Sequence, residues 1–212
     1  MNIKFNDKDY WTKLYKNNGQ IPKTPSPFAR HLIDNGFVQH SQTLIELGCG
    51  NGRDSVFFAK NQINVIAIDQ CEDVTSLFNK IERINSYSSD FTRLPFLSED
   101  QKINIVYSRF TLHSIDEEGE DRTLNWAYEN LAHDGLFCIE VRTTKDPLCG
   151  VGVNRGDNIW YHNNHHRRFV EAEKFQSKLE LMGFDILFFQ EKNGFAKYKN
   201  EDPVVLRSIV RK

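Results

Sequence analysis

Glycine at every second position, directly after an apolar run, is the feature that most narrows what this chain can fold into. Leu44 to Asp54 reads Leu-Ile-Glu-Leu-Gly-Cys-Gly-Asn-Gly-Arg-Asp, an apolar segment carrying an acid, Glu46, that runs into Gly48, Gly50 and Gly52. A strand that turns sharply into a helix while a ligand lies against its backbone needs positive φ angles and no Cβ in the way. The spacing then separates two kinds of adenosine site. A dinucleotide fingerprint, G-x-G-x-x-G, would place its third glycine at position 53, where this chain has Arg53.

The segments that follow come in a consistent order. Asn64 to Asp69 is a second apolar run ending in an acid, and a carboxylate at a strand's C-terminal edge can accept both hydroxyls of a ribose. Ser88-Ser89-Asp90-Phe91 closes a third strand, and Ile103 to Ser108 supplies a fourth, with Arg109-Phe110-Thr111-Leu112-His113 running off its end. Alone, a glycine cluster after a strand is an ordinary turn and an acid at a strand end is a helix cap. Their conjunction in this order is what makes a ligand site.

Strand and helix patterns alternate along the rest of the chain. Ser26-Pro27 ahead of Phe28, Leu32 and Ile33, with Gly36 beyond, reads as a capped helix. Residues 52–60 should form the helix whose N-terminus faces the ligand, and Leu124, Ala127, Tyr128 and Leu131 fall on one face of a helix over 117–131. Leu136 to Val141 is a fifth strand, and Ala172, Phe175, Leu179 and Met182 mark a further helix stopped by Gly183. Asp185 to Gln190 and Val204 to Val210 are strands with no helix-length segment between them, so they must run antiparallel.

Composition agrees with one α/β domain. At 212 residues and 39% hydrophobic content the chain can bury a full core, and a net charge of −2 gives no global pull toward nucleic acid or anionic membrane. No apolar run approaches a membrane span, and the polar N-terminus does not read as a signal peptide, so a cytoplasmic protein with neither nucleic-acid nor membrane partners is expected. Cys49, Cys71, Cys138 and Cys149 show no metal or disulfide spacing and read as reduced thiols.

The stretch from 142 to 168 exceeds a usual strand-to-helix loop. In it Arg142, Lys145, Arg155, Arg167 and Arg168 outnumber Asp146 and Asp157, with Trp160 and Tyr161 interleaved. Over the open edge of a sheet, that mixture suits an anionic small molecule; a solvated basic loop is the plainer alternative. His162, His165 and His166 lack the supporting cysteine or paired acids of a metal shell, so no metal is expected. His113 follows the fourth strand closely and could do acid/base work or simply pack. Near the N-terminus, Tyr10, Trp11 and Tyr15 share a helical face.

Gly-Cys-Gly-Asn-Gly-Arg-Asp-Ser resembles the first motif of class I S-adenosylmethionine (SAM)-dependent methyltransferases, in the small-molecule branch that includes the tellurite-resistance enzymes. Tyr-Ser-Arg-Phe-Thr-Leu-His at 107–113 and His-Arg-Arg-Phe at 166–169 are similar to bacterial methyltransferases found with capsule, surface-glycan and phosphoryl-modification genes. The resemblance runs from Tyr10 to Val210. It implies a single domain over 1–212 with a Rossmann-like seven-stranded sheet, mostly parallel with an antiparallel terminal strand and helices on both faces. It also implies an N-terminal helical lid at 1–40 and an acceptor-binding loop insertion at 142–168.

The same resemblance implies SAM as cofactor, bound by Trp11, Glu46, Gly48, Cys49, Gly50, Gly52, Arg53, Asp54, Asp69, Gln70, Asp90, Phe91 and Ser108, with Asp69 on the ribose and Asp90 and Phe91 on the adenine. It implies a small, anionic acceptor, an oxygen of a sugar, nucleotide-sugar or phosphoryl compound in surface-polysaccharide metabolism, read by Arg109, Arg142, Tyr161, Arg167 and Arg168. An alcohol acceptor would need a base, for which His113, His165 and His166 are the candidates; a phosphate oxygen would need none. The N-P-P-Y signature of adenine and glutamine N-methyltransferases is absent after the fourth strand, where Ser108-Arg109-Phe110 stands. A nitrogen, sulfur or tellurium acceptor, a nicotinamide oxidoreductase and a non-catalytic SAM-binding subunit remain alternatives, and oligomeric state is open.

Overall fold

Ten strands and six helices follow from these patterns in a computed structural model that describes residues 7–17, 24–78 and 80–212. The strands are β1 (Thr43–Leu47), β2 (Asn64–Asp69), β3 (Ile84–Ser88), β4 (Ile103–Arg109), β5 (Leu131–Arg142), β6 (Val153–Asn154), β7 (Ile159–His162), β8 (His165–Arg168), β9 (Asp185–Lys192) and β10 (Val205–Arg211). The helices are α1 (Lys8–Asn17), α2 (Pro27–Asp34), α3 (Arg53–Lys60), α4 (Glu72–Thr75), α5 (Glu117–Asn130) and α6 (Ala172–Leu181).

Seven strands form one sheet in the order β3-β2-β1-β4-β5-β10-β9. The first five pair in parallel, and β10 lies antiparallel between β5 and β9. Side-chain alternation divides the core between the two faces: Leu44, Ile105 and Tyr107 pack with Phe28 and Phe58 on one, and Ile45, Leu47 and Val106 pack with Leu124 and Phe175 on the other. Chain order reverses between β1 and β4, which in an open parallel sheet leaves a crevice beyond the carboxyl ends of those strands.

Two segments differ from the sequence reading. The 1–40 region does not act as one unit. Ser26 caps α2 by accepting from the Ala29 amide at 3.0 Å, and Phe28, Ala29 and Leu32 are fully buried in the core, so among the described residues of this region α1, not α2, lies over the crevice. Residues 1–6 and 18–23 of that region lie outside the described residues. The stretch read as a loop at 142–168 contains a second sheet, antiparallel, in the order β6-β7-β8. Its hairpin turns on Asn163 and Asn164, whose φ angles of 51° and 62° are the left-handed pair that a two-residue turn with the right twist requires, and asparagine tolerates that region. Among the described residues no helix is long and apolar enough to cross a membrane.

Candidate active site

The crevice holds a cavity of about 930 Å³, within the size range of ligand pockets. Its floor is the turn after β1. Gly48, Gly50 and Gly52 have φ of 68°, 51° and 72°, and an added Cβ would strike the Thr111 side chain, the Tyr15 hydroxyl and the Phe78 ring respectively. Gly48, Cys49 and Gly50 line the cavity, as do Trp11, Glu46, Arg53, Asp54, Gln70, Asp90 and Phe91. Gly52 does not. It caps α3 against Phe78 and serves the turn rather than the ligand.

Asp69, at the end of β2, is clamped to this turn: the Gly50 and Cys71 amides donate to its two oxygens, each at 2.9 Å. Burial raises its pKa, and those amides work against the rise. Each oxygen keeps lone pairs for a hydroxyl donor. Glu46 accepts from the Ser55 hydroxyl, and burial first, with Asp54 next, lifts its pKa well above the carboxylate range. Asp54 accepts from the Ser26 amide at 2.7 Å and the Tyr107 hydroxyl at 2.8 Å, which ties α3 to α2 and β4 beneath the cavity. Asp90 caps the turn after β3 by accepting from the amide and hydroxyl of Thr92. Ser108, expected among the cofactor-binding residues, is buried, bonds Thr111 and is not part of the cavity lining.

Helix α1 spans the opening. Tyr15 sits against Gly50, Trp11 stacks with Tyr15 at 6.2 Å, and Tyr10 stacks on His165 at 4.2 Å. Just ahead of the helix, Asp7 accepts from the His166 amide at 2.8 Å and lies 3.2 Å from its Nδ1.

The cavity also carries a cluster of arginines. Arg109 donates from Nε to Glu140 at 2.8 Å, and Arg207 takes the other Glu140 oxygen at 2.6 Å. Arg142 pairs with Asp146 at 2.8 Å. The Phe110 ring lies 4.6 Å from the Arg109 guanidinium and 5.5 Å from that of Arg142, on a backbone with φ of 55°. Arg167 lines the same cavity with no ion pair to a described carboxylate; burial first, then Arg142, lowers its pKa.

The hairpin's alternation sorts the remaining candidates. Successive β8 side chains point to opposite faces, so His165 and Arg167 line the cavity while His166 and Arg168 do not. Tyr161 is the register partner of His166 and shares its face, lying 4.8 Å from that ring and 5.7 Å from the Arg155 guanidinium. Arg168 pairs with buried Glu120 and donates to the Ile115 and Leu112 carbonyls, a tie between β8 and the segment around α5. Reading His162-Asn163-Asn164-His165 as a hairpin would have predicted this split. The sequence reading named no role for Phe110, Thr111, Asp7 or Glu140. The first two lay within the segment that runs off β4, but strand spacing could not say which way they turn.

Two imidazoles are held neutral. Burial first, then Arg142 and Arg167, keeps His113 well below the ordinary imidazole range, and burial first, then Arg167, lowers His165 to about 4. Both are harder to protonate folded than unfolded. Their contribution to stability is therefore full above about 6.5 and is lost as pH falls toward 4. In urea titrations across this window, His165→Gln should flatten the fall in unfolding free energy by about 1 kcal/mol per pH unit. Parallel curves for the two proteins would reject the assignment.

The chain matches the family described as "Methyltransferase domain" over residues 10–187. No curated protein sequence matches it. Among solved structures it is similar to the 1,6-didemethyltoxoflavin-N1-methyltransferase of Burkholderia thailandensis, bound to 1,6-didemethyltoxoflavin and S-adenosylhomocysteine, with 15% identity, 97% of this chain and 86% of that one covered, and a TM-score of 0.72. A SAM-dependent methyltransferase from Methanosarcina mazei gives 13% identity over 85% and 96% of the two chains, TM-score 0.73. A TehB-like SAM-dependent methyltransferase from Corynebacterium glutamicum gives 16% over 97% and 97%, TM-score 0.66. These likenesses show a shared fold, and with the family match over most of its length the chain belongs to the methyltransferase-domain family, as a SAM-dependent enzyme.

Proposed function

We propose that this enzyme transfers the methyl group of SAM to a small anionic acceptor, an oxygen of a sugar, nucleotide-sugar or phosphoryl compound in surface-polysaccharide metabolism. The observation that carries the reading is the make-up of one cavity: Asp69, clamped to the glycine turn, and a cluster of Arg109, Arg142 and Arg167 line it together. The similarity of residues 107–113 and 166–169 to surface-glycan methyltransferases supports the acceptor class. Soluble cytoplasmic action on a small molecule fits the charge and hydropathy of the chain.

When bound, SAM supplies a methyl carbon already activated by its positive sulfur. What the chain must do is align, exclude water and balance charge. The Gly48–Gly50 backbone admits close approach, Asp69 offers its free lone pairs to ribose hydroxyls, and Glu46 lines the same cavity with a carboxyl that a cationic amino group would ionise. Asp90 and Phe91 flank the position for the adenine. Trp11 and Tyr15 cover the turn and close it from solvent. The arginines take the acceptor's charge.

Calorimetric titration with SAM tests the cofactor half. Asp69→Ala should weaken binding by about 1.5–3 kcal/mol, the scale of lost charge-assisted hydrogen bonds. Undiminished affinity in a variant that melts like the parent would refute the ribose assignment.

A further inference from the structure

Beside the arginines the cavity presents two imidazoles, His113 and His165, and neither is suited to serve as a general base. His113 is 4% exposed, and its Nδ1 is buried without a hydrogen-bond partner among the described residues. A histidine that takes a proton in catalysis has its other ring nitrogen bonded to a carboxylate or carbonyl, which steadies the imidazolium as it forms. Here the facing groups are Arg142 from β5, Arg167, Arg168 and His165 from β8, and the edge-on Phe110 ring at 5.6 Å. The nearby carboxylates Glu120 and Asp146 are already paired to Arg168 and Arg142. A proton arriving on His113 would sit among guanidinium charges with nothing to offset it.

The orphaned nitrogen also fixes the tautomer. A buried N–H without an acceptor is costlier than a bare lone pair without a donor. The proton of neutral His113 therefore resides on Nε2 and leaves Nδ1 bare, and a nitrogen that already carries a proton cannot take one from an acceptor. His165 does have a carbonyl partner, its Nδ1 lying 3.2 Å from the Asn163 oxygen, but burial and then Arg167 lower its pKa to about 4 and Tyr10 is stacked on its ring, so it holds a proton weakly.

Resting on the reading of this cavity as the methyl-transfer site, we infer that the methylated atom is an oxyanion, a carboxylate or phosphoryl oxygen, held by Arg109, Arg142 and Arg167 with His113 as a neutral hydrogen-bond donor. The balance of the step agrees with these residues. The oxyanion's lone pair forms the new C–O bond as the C–S bond breaks and its electron pair returns to sulfur. One negative and one positive charge vanish together, giving a neutral thioether and a methyl ester, and no proton moves.

The experiment uses the full chain saturated with S-adenosylhomocysteine, whose own binding is measured first by calorimetry. No binding at that stage is a failure of the cofactor reading and is recognised as such. In the saturated protein, nitrogen-15 NMR of labelled histidines between pH 6 and 8.5 should show His113 as a single neutral tautomer protonated at Nε2. A proton on Nδ1, or a titration midpoint within that range, would overturn the proposal by giving His113 the equipment of a base. The signal is assigned by its loss in His113→Asn or, should that variant not fold, by removing the other histidines singly. Inorganic phosphate and acetate are then titrated in. One of them should bind, and Arg167→Ala should weaken that binding about 10-fold while homocysteine-adduct affinity stays within about twofold. Preference for phosphate names a phosphoryl acceptor, preference for acetate a carboxylate, and binding of neither would overturn the proposal.

Discussion

Arg168→Ala should lower the unfolding free energy by about 3–5 kcal/mol, the cost of leaving one partner of a buried ion pair without the other. The variant strands Glu120, which is 2% exposed, and removes the donor to the Ile115 and Leu112 carbonyls. Part of the Glu120 charge is still met by Lys178, 2.9 Å away, which places the expected loss at the lower end of that range. Denaturant titration reads the effect, and it should be visible without any acceptor or cofactor. An unchanged midpoint would mean that Arg168 is free to serve the ligand after all. Its neighbour Arg167, one residue away and on the opposite face, should show the reverse pattern: little change in stability and a clear loss of anion affinity.

Gly50→Val should abolish SAM binding, by more than about 100-fold, or about 3 kcal/mol. At φ of 51° a β-branched residue is strained whatever surrounds it, and the position also faces the Tyr15 hydroxyl. Relief of that strain moves the Gly50 amide, which holds one oxygen of Asp69. The substitution thus disturbs both the turn surface proposed to meet the cofactor and the carboxylate proposed to anchor it. Calorimetry with SAM and a thermal melt together separate this loss from unfolding. Tight binding in the variant would place the ligand elsewhere.

The parts of the site legible in the sequence are those fixed by a few adjacent residues. Gly48 to Asp54 and the acid closing β2 are local patterns, and the structure places Glu46, Gly48, Gly50 and Asp69 around one cavity. The parts that were not legible depend on parity and on long-range packing. Whether Arg167 or Arg168 faces the ligand turns on a two-residue hairpin several positions earlier, because one step along a strand exchanges its faces. Tyr161 and His166 share the hairpin face that does not line the cavity for the same reason. Ser108 sits at a strand end that motif order points toward the ligand, but Thr111 folds back over it. Helix α2 has the amphipathic pattern of a surface cover, and only its fully buried Phe28 and Leu32 show that it belongs to the core. Residue numbers 131–135 were read as the end of a helix and the turn beyond it, whereas β5 begins at Leu131 and passes through a register shift against β4.

The β6–β8 sheet is an inserted block between the fifth strand and α6, and the residues it lends to the cavity arrive on β8 alone. The cavity-lining segments proposed to hold the cofactor, at 46–54, 69–70 and 90–91, lie outside the block. If the proposed acceptor role of this block holds, acceptor preference is separable from cofactor handling: an exchange of 143–168 between relatives is expected to change what is methylated and to leave SAM affinity as it was. The limit on such exchange is the Arg168–Glu120 tie, which crosses from the block to α5. A transplanted block must bring a cation of its own for position 120, or the host must surrender that acid with it.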